Sequence, residues 1–205
     1  LVSQARGAHD FSQAGLWLHR ALLANGVAAL LLAALLANLR SALLLMGQDP
    51  ALATTAGDYA RLLLPALFAW AVHWALNPFL QAFGITRPSL AASGAALLLH
   101  PLVLALLVGR YGALGGAAAT SLAHWTSLLG LATGVFCAYR GHVPLLRPRR
   151  ASFARLAAFL RLALPGLFML GEWWASEVAI VLVGLLDDAA VSISALSVYQ
   201  SLNGL

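Results

Sequence analysis

The chain has 205 residues, of which 61% are hydrophobic and only 9% are charged, whereas soluble domains average about 45–50% apolar and about 25% charged residues. This composition excludes an ordinary water-soluble fold. The twelve basic residues are all arginine, and with seven acidic residues they give a net charge of +5. Because the arginines lie between apolar runs, they indicate membrane orientation and not nucleic-acid binding. A single cysteine, Cys137, excludes an internal disulfide framework and a thiolate metal site.

Apolar runs without charged residues predict the membrane spans, because an ionised side chain at mid-membrane costs at least about 2.5–3.5 kcal/mol. The runs lack the two-residue alternation of a membrane barrel, so we predict an all-α polytopic bundle. About 20 apolar residues cross the hydrocarbon core. In chain order the predicted spans are Ala21–Leu39, Leu62–Leu80, Ser89–Gly109, a span within Tyr111–Tyr139, Leu162–Leu186 and a last one from Ala189 onward.

Short connections with turn and cap residues separate these spans. They are Gly47-Gln48-Asp49-Pro50, Arg87-Pro88, Gly109–Gly116 and Asp187-Asp188. The small residues from Gly115 to Ser121 are typical of close helix packing. Trp17, at the end of the first span, is predicted to lie in the aromatic belt at the membrane surface.

The segment from Arg140 to Arg161 is the longest connection and is predicted to separate two bundles, since it holds six arginines and two prolines. With alternating sides, nine arginines fall on one side of the membrane and three on the other. The excess of positive charge predicts that the nine-arginine side is cytoplasmic. The nine are Arg6, Arg20, Arg87, Arg140, Arg147, Arg149, Arg150, Arg155 and Arg161.

Two carboxyl groups, Glu172 and Glu177, lie within the fifth predicted span. An acid at this depth marks an ion or substrate path by default, although a protonated carboxyl bonded to a neighbouring helix would also explain it. At about 100° per residue the two acids lie about 140° apart around the helix, so they do not share a face. We expect Glu172 to be the proton-coupled acid. Pro165, one or two turns earlier, could bend the helix beside the site, or form a fixed packing kink.

Polar side chains at membrane depth on the second to fourth spans are the other candidates. They are His73, His100 and His124, with Asn77 and Gln81. Each could line a cavity or form a hydrogen bond between helices. No HExxH or CxxC motif occurs in the sequence, which argues against a metal site.

Tryptophans also lie at membrane depth in these spans. They are Trp70, Trp74, Trp125, Trp173 and Trp174. Burial by packing is the simpler interpretation, and a ligand surface is the alternative.

Several stretches together resemble the multidrug and toxic compound extrusion (MATE) carriers, in their eukaryotic, detoxification-type branch. The most specific are Gly47-Gln48-Asp49-Pro50 and Glu172-Trp173-Trp174-Ala175-Ser176-Glu177. Further likeness lies in Ser3–Ala8, Tyr59–Arg61, Leu64–Ala69, Phe79–Gln81, Gly116–Ser121 and Phe159–Pro165. The resemblance implies twelve helices in two six-helix lobes, of which this chain is a fragment running from about the third helix into the eighth.

On this resemblance, residues 1–140 form four helices of the N-terminal lobe, 141–155 a cytoplasmic linker, and 156–205 the start of the C-terminal lobe. It implies a monomeric transporter, not an enzyme, without cofactor, metal or nucleic-acid partner, that exports organic solutes in exchange for H⁺ or Na⁺. Glu172 and Glu177 are the expected cation-coupling acids. The expected substrate-cavity residues are His73, Asn77, Gln81, Trp173, Trp174 and Ser176.

The resemblance places the carrier in the plasma membrane or the vacuolar membrane. Three alternatives stay open from the residues alone: a lipid-linked precursor flippase, a membrane-embedded enzyme that uses one of the histidines, and a fragment inactive by itself. A flippase cavity would favour many arginines for phosphate, yet the charges within the spans are acidic. An enzyme would need a nucleophile or metal constellation, which the sequence does not offer.

Overall fold

The computed structural model describes residues 1–139, 150–154, 156–169, 178–183 and 189–203. Every regular element within these residues is a helix, in agreement with the predicted all-α class. Five of the predicted site residues lie outside the described residues, together with most of the arginine-rich segment and the Asp187-Asp188 turn. The five are Glu172, Trp173, Trp174, Ser176 and Glu177.

Four long helices form the main body: α2 (Phe11–Ala37), α4 (Pro50–Ala82), α5 (Arg87–Tyr111) and α6 (Ala113–Tyr139). Short helices accompany them, α1 (Val2–Gly7) before α2 and α3 (Leu39–Leu45) between α2 and α4. Later helical segments are α7 (Arg150–Phe153), α8 (Leu156–Met169), α9 (residues 178–183) and α10 (Ala189–Asn203).

The starts of α2 and α4 are set by capping residues and not by the edges of the apolar runs. The Asp10 carboxylate accepts a hydrogen bond from the Gln13 backbone N–H at 2.9 Å and starts α2. The Asp49 carboxylate accepts from the backbone N–H groups of two residues, and Pro50 at the first helical position needs no donor. Helices α2 and α4 therefore begin well before the apolar runs that predicted them.

The connection between α5 and α6 is tighter than the predicted Gly109–Gly116 segment. Helix α5 continues to Tyr111 and α6 begins at Ala113, so a single residue, Gly112, makes the turn. Gly112 has φ of 60°, a backbone conformation that residues with a side chain rarely adopt. Arg87-Pro88 is likewise the first turn of α5 and not a separate loop.

Three of the described helices, α2, α4 and α5, are long and apolar enough to cross a membrane. Helix α6 has 27 residues, the same length as α2. Since about 20 residues span the hydrocarbon core, each of these four helices exceeds the length needed.

The four long helices pack in the order α2, α4, α6, α5, so α6 contacts both α4 and α5. Small residues bring α5 and α6 close together. A Cβ added at Gly130 would lie 3.2 Å from the Ala92 Cβ, and one at Gly134 would lie 2.9 Å from the Pro88 Cβ. Within the Gly115–Ser121 stretch, Ala117 and Ala119 are fully buried, and the Ser121 hydroxyl donates to the Leu62 carbonyl of α4 at 2.7 Å. The stretch packs closely against its neighbours, as predicted.

Candidate transport site

Helix α4 carries the polar side chains that were predicted to line a cavity, spaced four residues apart. They are His73, Asn77 and Gln81, and the spacing places them along one side of the helix. The Gln81 amide Nε2 donates to the Asn77 Oδ1 at 3.4 Å, and Gln81 is exposed. These two amides keep hydrogen-bonding capacity for a further group, because each carries more donors and acceptors than this contact uses.

Two tryptophans lie beside this polar row and are not buried by the described helices. The Trp70 side chain is 47% exposed and Trp74 is 59% exposed. Their rings meet edge to face with centroids 5.7 Å apart. Within the described residues the two rings form an aromatic surface on the side of α4 that carries Asn77 and Gln81. Packing and a ligand surface both stay predictions for these tryptophans.

His73 belongs to the face of α4 that packs against α6. It lies in line with Leu62, Ala66 and Ala69 at intervals of four, three and four residues, and both alanines are buried. The Ser121 hydroxyl of α6 donates to the Leu62 carbonyl at 2.7 Å, which identifies the neighbour on this face.

His73, His100 and His124 lie on α4, α5 and α6, and α6 packs against the other two helices. The His124 ring lies against Trp70 of α4, with centroids 6.2 Å apart. The Nδ1 atoms of His73 and His100 are buried and make no hydrogen bond to the described part of the chain.

None of the described residues forms a group of three or more histidine, cysteine or acidic side chains that could hold a metal ion. Pro165 lies inside α8, and the helix continues past it to Met169. The kink predicted at Pro165 stays a prediction.

The first helices contact the later segments in two places, near the start of α2 and in the turn between α3 and α4. The buried Gln48 side chain donates through Nε2 to the Val181 carbonyl of α9 at 3.2 Å. At the other end, the Trp17 ring lies 6.1 Å from Phe159 of α8, centroid to centroid. Trp17 also stacks on the Arg20 guanidinium at 4.7 Å, so it packs within the protein and not only at a membrane surface.

The sequence analysis did not predict the contact of Gln48. Its partner is a backbone carbonyl 133 positions away, and no side chain marks that position. A second contact with the same sequence separation joins His19, near Trp17, to Ser152, and their Nδ1 and Oγ atoms lie 3.1 Å apart. Both pairs join residues before the arginine-rich segment to residues after it.

Comparison with known proteins identifies this arrangement. The sequence model of the MatE family matches residues 1–107, about half of the chain. The chain belongs to the MatE family. Among its relatives, Protein DETOXIFICATION 16 of Arabidopsis thaliana is 32% identical over 212 residues, which include all of this chain and 43% of that protein. Protein DETOXIFICATION 12 of the same plant is 34% identical over 203 residues, covering 97% of this chain and 42% of the relative.

The fold agrees with a solved MATE structure. The crystal structure of the eukaryotic MATE transporter AtDTX14 matches 97% of this chain and 45% of that chain, with a TM-score of 0.83 and 28% sequence identity. Family and structure together confirm the predicted fold class, part of a polytopic helical MATE-type bundle, and a multi-pass membrane protein. The chain spans less than half the length of these MatE relatives.

Proposed function

We propose that the protein containing this chain is a cation-coupled antiporter that exports organic solutes, with H⁺ as the coupling ion. Membership of the MatE family is the observation that carries the proposal, because the relatives are named detoxification proteins and the matching structure is titled a transporter. Three helices long and apolar enough to cross a membrane, α2, α4 and α5, suit such a role. The carrier is proposed to act as a monomer in the plasma or vacuolar membrane.

The proposed mechanism uses the energy of one buried charge. Desolvation favours the neutral form of a carboxyl, so an acid within a bundle can exchange a proton as its access to water changes. A ligand shifts a conformational equilibrium only by the difference between its affinities for the two states. Protonation of Glu172 would supply that difference, and two lobes moving against each other would then expose the solute to the opposite side.

The aromatic surface of Trp70 and Trp74 beside Asn77 and Gln81 supports solutes of a particular chemistry. Indole faces attract cations and stack on flat apolar rings, while amide groups accept or donate single hydrogen bonds. We therefore propose that flat organic cations are among the exported solutes, and that Asn77 and Gln81 orient them.

The test reconstitutes the full-length carrier in proteoliposomes and follows uptake of ethidium, a flat organic cation, under an imposed pH gradient. Glu172→Gln is expected to abolish gradient-driven uptake, because the amide cannot exchange a proton. Asp58→Asn is the matched control, since Asp58 is an exposed carboxyl paired with Arg61 at 3.3 Å. It should transport like the unmodified carrier.

Wild-type uptake by Glu172→Gln would refute the assigned role of this acid. A sodium gradient at constant pH tests which ion is coupled to transport. Uptake driven by sodium alone would show that Na⁺, and not H⁺, is the coupling ion. Absence of uptake under either gradient, with binding of ethidium retained, would contradict antiport itself.

A further inference from the structure

Helix α7 carries a serine that is buried against α2. The Ser152 side chain is 1% exposed, and its Oγ lies 3.1 Å from the Nδ1 atom of His19. The cleft beside this contact is lined by Leu22 and Leu23 of α2 and by Phe153 of α7. The proposed antiport gives this hydroxyl no role.

The sequence around Ser152 has the pattern that arginine-directed protein kinases select. Arg149 and Arg150 are three and two residues before the serine, and the aromatic Phe153 follows it. Such kinases bind the two guanidinium groups through acidic side chains and the next apolar residue through a hydrophobic pocket, so charge pattern sets their specificity. No other serine or threonine of the sequence has arginine at both of these positions.

The charge pattern also predicts that this serine lies on the cytoplasmic side, where ATP and protein kinases occur. Arg20, next to His19, and Arg150 are among the nine arginines whose excess predicts that side. Membrane orientation explains why arginines gather in this segment. It does not explain why two of them stand at these intervals before a buried serine.

A kinase can reach Ser152 because α7 is only one turn of helix. It has four residues, and isolated helices of this length are not stable in water, so its conformation depends on the contact with α2. Phe153 is 60% exposed and contributes only part of its surface to that contact. Local detachment of α7 exposes the hydroxyl on an extended chain, the form that a kinase cleft binds.

We propose that Ser152 is a phosphorylation site whose modification releases α7 from α2. The kinase transfers the γ-phosphoryl group of ATP to the Ser152 Oγ. A bond forms between Oγ and the γ-phosphorus, the bond from that phosphorus to the bridging oxygen breaks to leave ADP, and the hydroxyl proton passes to the catalytic aspartate of the kinase.

The phosphate does not fit the place that the hydroxyl occupies. It carries a charge of about −1.5 to −2 and three acceptor oxygens. Among the residues that line the cleft, only His19 has a polar group to offer besides the serine itself, and one imidazole cannot satisfy three oxygens. The phosphoserine therefore moves into water and takes α7 with it.

The test incubates the full-length carrier in lipid nanodiscs with ATP and the catalytic subunit of cyclic-AMP-dependent protein kinase, which selects arginine at these two positions. Mass spectrometry of the peptides locates the phosphate, which is expected on Ser152. Incorporation should fall at least about tenfold in Arg149→Ala, the loss expected for one charge-assisted contact. Ser89 is the internal control, because it is buried and follows a single arginine, Arg87, by two residues, and it should stay unmodified.

The release of α7 is measured by electron paramagnetic resonance, as the distance between spin labels on cysteines that replace the exposed Ser12 and Ala154. Cys137, which is also exposed, is replaced by serine. Longer distances should gain population after treatment with the kinase. The same treatment of a carrier that also has Ser152→Ala should leave the distances unchanged.

Variants of α2 test whether the docked contact protects the serine. His19→Ala removes the contact and should speed the phosphorylation of Ser152. His9→Ala is the matched control, since His9 is exposed in the turn before α2, and it should react at the rate of the unmodified carrier. Thermal unfolding confirms that each variant is folded.

Absence of phosphate from Ser152 in the folded carrier would overturn the proposal. Equal incorporation in Arg149→Ala would overturn recognition by the arginines, and equal rates in His19→Ala and His9→Ala would overturn protection by the contact. Distances unchanged by phosphate on Ser152 would overturn the release of α7. None of these measurements uses solute or an ion gradient, so their outcome is independent of the outcome for antiport.

Discussion

Pro65 and Ser121 illustrate how single residues adapt the helices to a membrane. Proline at position 65 cannot donate to the Arg61 carbonyl, and its ring pushes that turn open. In water the solvent would satisfy the loosened carbonyls, but in a bundle a neighbouring side chain must do so. The Ser121 hydroxyl contacts the next carbonyl, that of Leu62, at 2.7 Å.

Replacing Ser121 by alanine is expected to lower the free energy of unfolding by about 0.6 kcal/mol, the mean measured for hydrogen bonds between membrane helices, and by no more than the measured maximum of about 1.7 kcal/mol. Thermal or denaturant unfolding of the full carrier in detergent measures this. Thr126→Ala is the control, because the Thr126 hydroxyl donates only within its own helix, to the Leu122 carbonyl. Equal losses in both variants would mean that the contact between helices contributes nothing.

At the scale of the elements, α5 and α6 depend on the absence of side chains at two positions. Gly134→Ala would place a Cβ 2.9 Å from the Pro88 ring, which cannot move aside. We expect a destabilisation of about 1–3 kcal/mol, the usual cost of overpacking. Gly94→Ala, on the same helix pair but with no atom within 4 Å, should be neutral or stabilising. The two melting temperatures decide, and a neutral Gly134→Ala would show that the helices can separate freely.

The sequence predicted how many long helices precede the arginine-rich segment but not where they begin. A run without charged residues marks the part of a helix that lies in hydrocarbon. The helix itself begins earlier, where a capping residue such as Asp49 accepts hydrogen bonds from the first backbone N–H groups. Helix α4 consequently extends twelve residues before the predicted Leu62. The short α3 escaped prediction because seven residues without a periodic pattern carry little information.

The candidate site was predictable only in part. Intervals of four residues along α4 placed His73, Asn77 and Gln81 on one side of the helix. The contact of His124 with Trp70 depends on the register between α6 and α4, which a single sequence does not contain. The roles of Glu172, Glu177, Trp173, Trp174 and Ser176 stay predictions, since these residues lie outside the described part of the chain.

For the whole molecule, the contact between Gln48 and α9 joins the two regions that the lobed arrangement would move apart. If the lobes separate at this end, the hydrogen bond from Gln48 to the Val181 carbonyl has to break in one access state. Gln48→Ala should therefore shift the population towards the state in which the bond is absent.

Electron paramagnetic resonance can report this shift as the distance between two spin labels, attached to cysteines that replace the exposed Leu45 and Leu182. Longer distances should gain population in Gln48→Ala and not in Gln4→Ala, which removes an exposed glutamine elsewhere. Identical distance distributions in all three proteins would show that the contact does not bias the equilibrium.

The length of α4 sets a condition on how the protein sits in its membrane. Its 33 residues extend about 50 Å, roughly 20 Å more than a typical hydrocarbon core. The surplus falls on the stretch from Pro50 to Arg61, where the exposed pair of Asp58 and Arg61 favours water and lipid headgroups. This end of α4 can slide outward in a thin bilayer or sink to its charged pair in a thick one. Thickness changes are thereby absorbed without stretching the apolar part of the helix.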